Sequence, residues 1–165
     1  MKKTLLVVFF ALFASIPASA HTNTPKLAAE AFPAPMPQYL RTIIEEAAAK
    51  YDLDPNLLAA MAFKESAFNP TAVSRRGAQG ILQLMPRTAK ALGVQNAFDP
   101  RQNIFGGAKY VRQLMDRFDG NVELVLASYN LGPERIEKEG PRTTPGVVKY
   151  VGDITAYYKF ALRNA

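Results

Sequence analysis

Apolar residues along this chain recur at intervals of three and four, the spacing that stacks side chains on one face of an α-helix. From Gln38 to Tyr51, Leu40, Ile43, Ile44 and Ala47 keep that spacing while Arg41, Glu45, Glu46 and Lys50 face elsewhere. Asp52-Leu53-Asp54-Pro55 stops this helix and starts another: Asp54 is suited to accept from the free amides of a first turn, and Pro55 loses nothing at the first helical position. The second helix runs from Pro55 to Ser66 with Leu58, Met61, Ala62 and Glu65 on one face. Leu58 and Glu65 are seven positions apart, about 20° short of two full turns, so Glu65 continues the apolar stripe and Lys64 points away. Asn69-Pro70 ends the segment, because a residue before proline is pushed out of the helical region.

Ser74 to Gly80 is a polar, glycine-punctuated loop with room for some extended structure, followed by the short apolar run Ile81 to Met85. Pro86 opens a helix that closes at Leu92-Gly93, and Asp99-Pro100 repeats the cap-then-proline start. The long helix that follows carries Ile104, Ala108, Val111, Leu114, Met115 and Phe118 as its core stripe and ends near Asp119-Gly120. Gly106-Gly107 inside it costs about 1 kcal/mol per residue relative to alanine, which points to close packing there. Val122 to Asn130 is a further apolar helix, Pro133 to Glu139 a short one, and Thr144-Pro145 opens the last, with Val148, Val151, Ile154, Tyr158 and Leu162 as its stripe. No segment keeps strict alternation. The expected fold is all-α, about seven helices, with at most a small β element near residues 74–83.

The chain before Gln38 reads differently. Met1-Lys2-Lys3, the apolar run Leu5 to Ile16 and Pro17-Ala18-Ser19-Ala20 have the layout of a secretory signal peptide, too short for a comfortable membrane span. Residues 21–37, rich in alanine and proline, read as an extended linker. The expected organisation is therefore a signal peptide at 1–20, a linker at 21–37 and one domain at 38–165, exported to the periplasm without a stable membrane anchor and acting as a monomer. The formal charge of +6 falls to +4 once Lys2 and Lys3 are removed. That mild, dispersed excess fits solubility as well as attraction to an anionic polymer. No basic patch with interleaved aromatics marks a nucleic-acid partner. With no cysteine and His21 as the one histidine, thiolate or histidine metal sites, disulfides and Ser-His-Asp catalysis have no residues to work with. No metal or other cofactor is expected.

Three short segments hold candidate chemistry. Glu65, if kept from bulk water on its apolar face, would have its charged form disfavoured and could exchange a proton near neutrality, although a glutamate near a helix end is most often solvated or ion-paired. Ser66 can reach that carboxyl or bond its own helix backbone. Gly80-Ile81-Leu82-Gln83 allows close backbone approach and offers the Gln83 amide to a sugar, or is a satisfied polar residue in an apolar run. Tyr129-Asn130 sits at a helix end, where Asn130 is either a ligand group or a cap. Met85 and the aromatics Phe63, Phe68, Phe105, Phe118, Tyr110, Tyr150, Tyr157 and Tyr158 are mainly core, with one or two free to line a groove.

In combination these segments resemble a known family. Glu65-Ser66-x-Phe68-Asn69-Pro70-x-Ala72, Ser74-x-x-Gly77-Ala78-x-Gly80-x-x-Gln83-Leu84-Met85-Pro86-x-Thr88-Ala89 and Ala127-x-Tyr129-Asn130-x-Gly132-Pro133 resemble the soluble lytic transglycosylases of the lysozyme-like superfamily. Asp99-Pro100-x-x-Asn103-Ile104 and Gly107-Ala108-x-Tyr110 extend the match over about Tyr39 to Tyr158. The resemblance implies cleavage of the β-1,4 bond between N-acetylmuramic acid and N-acetylglucosamine in a peptidoglycan glycan strand, with formation of a 1,6-anhydro end. It implies Glu65 as sole acid and then base, with Ser66, Gln83, Met85, Tyr129, Asn130 and Tyr150 around the sugar. The chain's size is similar to that of small members that accompany secretion, conjugation or pilus machines. Two departures stand out: Gly80-Ile81-Leu82-Gln83 replaces the usual Gly-Leu-Met-Gln, and Gly146-Val147 stands where the family commonly has Glu-Thr before the position of Tyr150. A lysozyme-type hydrolase on the same fold and a non-catalytic wall-binding assembly factor are the alternatives. The count of acids favours the transglycosylase: most glycosidases that use water need two carboxylates about 5–5.5 Å or about 6.5–9.5 Å apart. The other acids lie mainly at caps (Asp54, Asp99) or on polar faces (Glu45, Glu46, Asp116, Glu123, Glu137), and none falls within Gly80–Gln83 or Tyr129–Asn130.

Overall fold

The computed structural model describes Phe32 and residues 35–163, so the expected signal peptide and most of the expected linker lie outside the described residues. Among the described residues there are seven helices: α1 (Gln38–Lys50), α2 (Pro55–Ser66), α3 (Pro86–Leu92), α4 (Pro100–Arg117), α5 (Val122–Leu131), α6 (Pro133–Glu139) and α7 (Pro145–Arg163). The helix starts follow from the capping chemistry. Asp54 accepts from the Asn56 amide at 2.8 Å and Asp99 from the Gln102 amide at 2.7 Å, each ahead of a proline. Asn121 caps α5 in the same way, accepting from the Leu124 amide, and Thr144 Oγ1 accepts from the Val147 amide. The expected small β element is present as two isolated bridges, Val73 with Gln79 and Gln79 with Leu84.

α2 is the central helix. It packs against α1 and α7, while α5 is enclosed by α4, α6 and α7. Every residue from Pro55 to Ala62 is buried, so the first two turns of α2 are covered on all sides, with no single apolar face. The stripe Leu58, Met61, Ala62 is therefore only part of what α2 buries. Partial exposure begins at Phe63 and continues through Ser66, at the end of α2 that carries Glu65.

Two expectations need correction. Lys64 does not point to open solvent: its ammonium donates to Asp153 Oδ2 on α7 at 2.6 Å. In α7 the buried face is Val147, Tyr150, Val151, Ile154 and Ala161, whereas Val148 and Leu162 are 47% and 45% exposed. α7 is rotated by roughly one residue from the apolar spacing because α2 and α5 cover its Tyr150 side. Val148 and Leu162 instead line a groove of about 770 Å3, with Val122 of α5, the edge of Val151 and Tyr158 also on its walls. Position 148 is two residues, about 200° of helix, from Tyr150, so this groove opens on the other side of α7 from Glu65.

α4 shows why its paired glycines are needed. A Cβ at Gly107 would run into the Leu82 side chain, and one at Gly106 into Val94. The helix backbone thus lies directly against the 80–84 segment, and the loss of helix propensity is traded for that approach.

Candidate active site

The end of α2 creates the site. Ala67 and Phe68 are both in the left-handed region, at φ 50° and 66°, an uncommon pair for non-glycine residues. Phe68 is held there by burial: its ring lies 5.6 Å from those of Phe63 and Phe32. The helix therefore stops before Asn69-Pro70, by a left-handed reversal instead of by the proline. Asn69 then forms a local turn, its Oδ1 accepting from Thr71 N and Oγ1 at 2.9 Å each. After this reversal the chain returns to the end of α2, where the Ile81 carbonyl meets Ser66.

The returning segment is fastened from α4. Asn103 is fully buried; its Oδ1 accepts from the Leu82 amide at 2.7 Å, and its Nδ2 donates to Gln79 O at 2.9 Å and Ala97 O at 2.8 Å. Gly80 sits over it at φ 76°, where a Cβ would collide with the Ala97 carbonyl and the Asn103 amide. Ser66 Oγ lies 2.9 Å from Ile81 O and 3.3 Å from Ala62 O, and its one hydrogen serves these two carbonyls. Ser66 thus ties the end of α2 to the 80–83 segment, and no bond joins it to the Glu65 carboxyl. Gln83, itself at φ 46°, donates through Nε2 to Ala72 O at 3.1 Å and Gly80 O at 2.8 Å. Both amide hydrogens are spent inside the loop, and its Oε1 is the group left for a ligand.

α5 and α7 supply two phenols. Tyr150 donates to Glu65 Oε1 at 2.5 Å. Tyr129 donates to the Leu82 carbonyl at 2.7 Å, and its ring lies 5.4 Å from that of Tyr110. Burial pushes both phenols well above the ordinary tyrosine range, and the negative charge of Glu65 adds to the effect, so both are neutral donors. Glu65 itself is pushed up to about 7 by burial, with the Tyr150 hydrogen bond and the Lys64 charge opposing the rise. Such a carboxyl is both a usable acid and a usable base near neutral pH.

Of the remaining expected site residues, Met85 is 43% exposed at the N-cap of α3. Asn130 is exposed in the last turn of α5, and Gly132, not Asn130, caps that helix. Thus Glu65, Tyr129 and Tyr150 share one electrostatic neighbourhood, Ser66 and Gln83 shape the loop beneath it, and Met85 and Asn130 present exposed side chains with no contact that joins them to Glu65. Among the described residues no group of three or more His, Cys, Asp or Glu could hold a metal, and no helix is long and apolar enough to cross a membrane.

Other carboxylates are engaged elsewhere. Glu134 and Glu137 pair with Arg117, Glu123 with Arg142, Glu46 with Arg101 and Asp116 with Arg112. Asp153, one turn along α7 from Tyr150, is held below the usual carboxylate range by Lys149 and Lys64. Asn103 and the Lys64–Asp153 pair are site-forming elements absent from the expected set. Asn103 had a signal in its place within Asp99-Pro100-x-x-Asn103-Ile104; the ion pair joins residues 89 positions apart and had none.

The chain matches the Transglycosylase SLT domain over residues 42–144. It is 51% identical over 89 residues to the "Transglycosylase" of Enterobacteria phage PRD1, an alignment covering 54% of this chain and 33% of that protein. It is 45% identical over 103 residues to "Membrane-bound lytic murein transglycosylase F 1" of Alkalilimnicola ehrlichii, covering 59% of this chain and 21% of that one. The chain therefore spans between about a fifth and a third of these relatives' length. Among solved structures it superposes on an inactive mutant of the lytic transglycosylase Slt from Pseudomonas aeruginosa, in which a glutamate is replaced by glutamine, with a TM-score of 0.69 at 27% identity, over 74% of this chain and 24% of that one. With the family match extending over more than half of its residues, the chain belongs to the Transglycosylase SLT domain family.

Proposed function

We propose that this chain is a peptidoglycan lytic transglycosylase that cleaves the β-1,4 bond between N-acetylmuramic acid and N-acetylglucosamine and leaves a 1,6-anhydro-muramic end. The observation that carries the reading is the Glu65 carboxyl, raised to about 7 by burial and held by the Tyr150 phenol, while Asp153, the carboxylate one turn from Tyr150, is tied to Lys64 and Lys149. Protonated Glu65 gives its proton to the glycosidic oxygen as the bond to C1 breaks. The muramic C6 hydroxyl then bonds to C1, and its proton returns to the Glu65 carboxylate. The enzyme ends as it began and no water is consumed. One carboxyl suffices because the sugar supplies the nucleophile, where hydrolysis with water would call for a second.

Tyr150 orients the carboxyl in both protonation states. The Tyr129–Leu82 bond fixes the opposite wall, and Gln83 Oε1, Met85 and Asn130 are the groups available to the glycan. The signal-like residues 1–20 support action in the periplasm on the glycan strand. A secretion, conjugation or pilus machine as a further partner, and a monomeric state, belong to the same reading and rest on size and composition alone.

Mass spectrometry of digested wall tests the reaction. Anhydro-muramic ends are expected; reducing muramic ends would replace the transglycosylase by a hydrolase. Glu65→Gln should lower cleavage by about 10²–10⁴-fold with the fold retained. Unchanged cleavage would remove Glu65 from the role of acid, and no cleavage by the parent chain would favour a wall-binding factor.

A further inference from the structure

Consecutive residues at the end of α2 bond to α7 one turn apart: Glu65 to Tyr150 and Lys64 to Asp153. The second contact is the more enclosed kind of ion pair, with 29% of the Lys64 and 27% of the Asp153 side chain exposed. Asp153 is also held by Lys149, whose ammonium lies 3.1 Å from Oδ1 and 2.8 Å from Oδ2. Lys149 and Asp153 flank Tyr150 on the same helix. The Lys64–Asp153 contact thus does two things in one place. It pins the register between α2 and α7 on which the Tyr150–Glu65 bond depends, and it gives the positive charge beside Glu65 a counter-charge.

We propose that Lys64 and Asp153 are positioning residues for the reaction, a charge clasp that sets how strongly the Glu65 carboxyl holds its proton. The inference rests on the reading of Glu65 as the acid. The groups that face Glu65 are few: Lys64 from its own helix, Tyr150 from α7 with Lys149 and Asp153 behind it, and Tyr129 from α5. The segment from Gly80 to Gln83 adds no titratable side chain. Both phenols are neutral, so the clasp is the adjustable charge in the neighbourhood. Lys64 opposes the rise caused by burial, and the Asp153 carboxylate 2.6 Å from the Lys64 ammonium is the counter-charge to it.

The two halves of the clasp have opposite signs, which separates this role from a merely structural one. Glu65 must be protonated to act as an acid, so the alkaline limb of the pH–rate profile follows its proton affinity. Lys64→Met removes a charge that favours the carboxylate, and the limb should move up. Asp153→Asn leaves Lys64 less compensated, and the limb should move down. Each displacement should be on the order of 0.5–1 pH unit. Both variants lose the same contact, so a purely structural clasp would lower thermal stability in both and leave the limb in place or shift it the same way in both. Opposed shifts support the proposal; no shift, or shifts of one sign, overturn it. Should either variant fail to fold, Lys64→Gln or Asp153→Leu removes the same charge in its place, so that both signs are still read. Loss of cleavage in Glu65→Gln, measured in parallel with the unsubstituted chain, shows whether a negative result belongs to the clasp or to the underlying assignment of the acid.

Discussion

The Tyr150 phenol reaches Glu65 Oε1 at 2.5 Å from a residue 85 positions along the chain. The two groups balance each other. Burial alone would raise the carboxyl further, and the phenol's hydrogen bond to the charged form draws it back to about 7. The phenol, held neutral by its own burial, can play this part at any pH in which the enzyme works.

Tyr150→Phe removes a bond that favours the carboxylate. Glu65 should then hold its proton more tightly and the alkaline limb of the pH–rate profile should move up, by about 1–2 pH units for a hydrogen bond to a charged group worth about 1.5–3 kcal/mol. Cleavage of purified wall followed from pH 5 to 9 reads this directly. A limb that moved down would mean that the phenol does not donate to the charged carboxyl.

Stability should depend on pH through the same residue. Glu65 is raised from 4.5 to about 7 on folding, so between those values the folded chain keeps a proton that the unfolded chain releases. The resulting stabilisation is fully present below about pH 4.5 and is lost as the pH rises through about 7. The full amount is about 3 kcal/mol, of which about 2–3 kcal/mol falls between pH 5 and pH 8. Urea unfolding at pH 5 and pH 8 should show Glu65→Gln gaining on the parent by that amount at the higher pH. Parallel pH dependence of the two chains would contradict it.

Gly80→Ala should be among the most damaging single-methyl changes in the domain. It places a Cβ at φ 76° and into the Ala97 carbonyl and the Asn103 amide at once. A loss of about 2–4 kcal/mol is expected from thermal or denaturant melts, with activity falling further because Gln83 is displaced with the loop.

Asn103→Ala should cost about 2–4 kcal/mol, since it leaves the Leu82 amide and the Ala97 carbonyl without their partner and takes one of two bonds from the Gln79 carbonyl, which keeps the Leu84 amide. Hydrogen exchange should locate the loosening in the Gln79–Leu84 segment. Protection there equal to the parent's would show that Asn103 does not hold the loop.

The helices were legible along the chain, because what starts and stops them is local. Asp54-Pro55, Asp99-Pro100 and Thr144-Pro145 satisfy first-turn amides within three residues, and the apolar spacing needs only neighbours along one helix. The sequence also pointed to Glu65 as the candidate acid, through its phase with Leu58 and its place in ordered motifs. The tertiary structure alone decided what the carboxyl is worth. Burial, the Tyr150 phenol and the Lys64–Asp153 pair act across 85 and 89 positions, and no periodicity within one helix encodes them. The same limit explains α7. Val148 and Val147 are equally apolar as letters, yet which of them faces the core depends on where α2 and α5 lie, and that orientation turned Tyr150 toward Glu65 and left Val148 in the groove behind it.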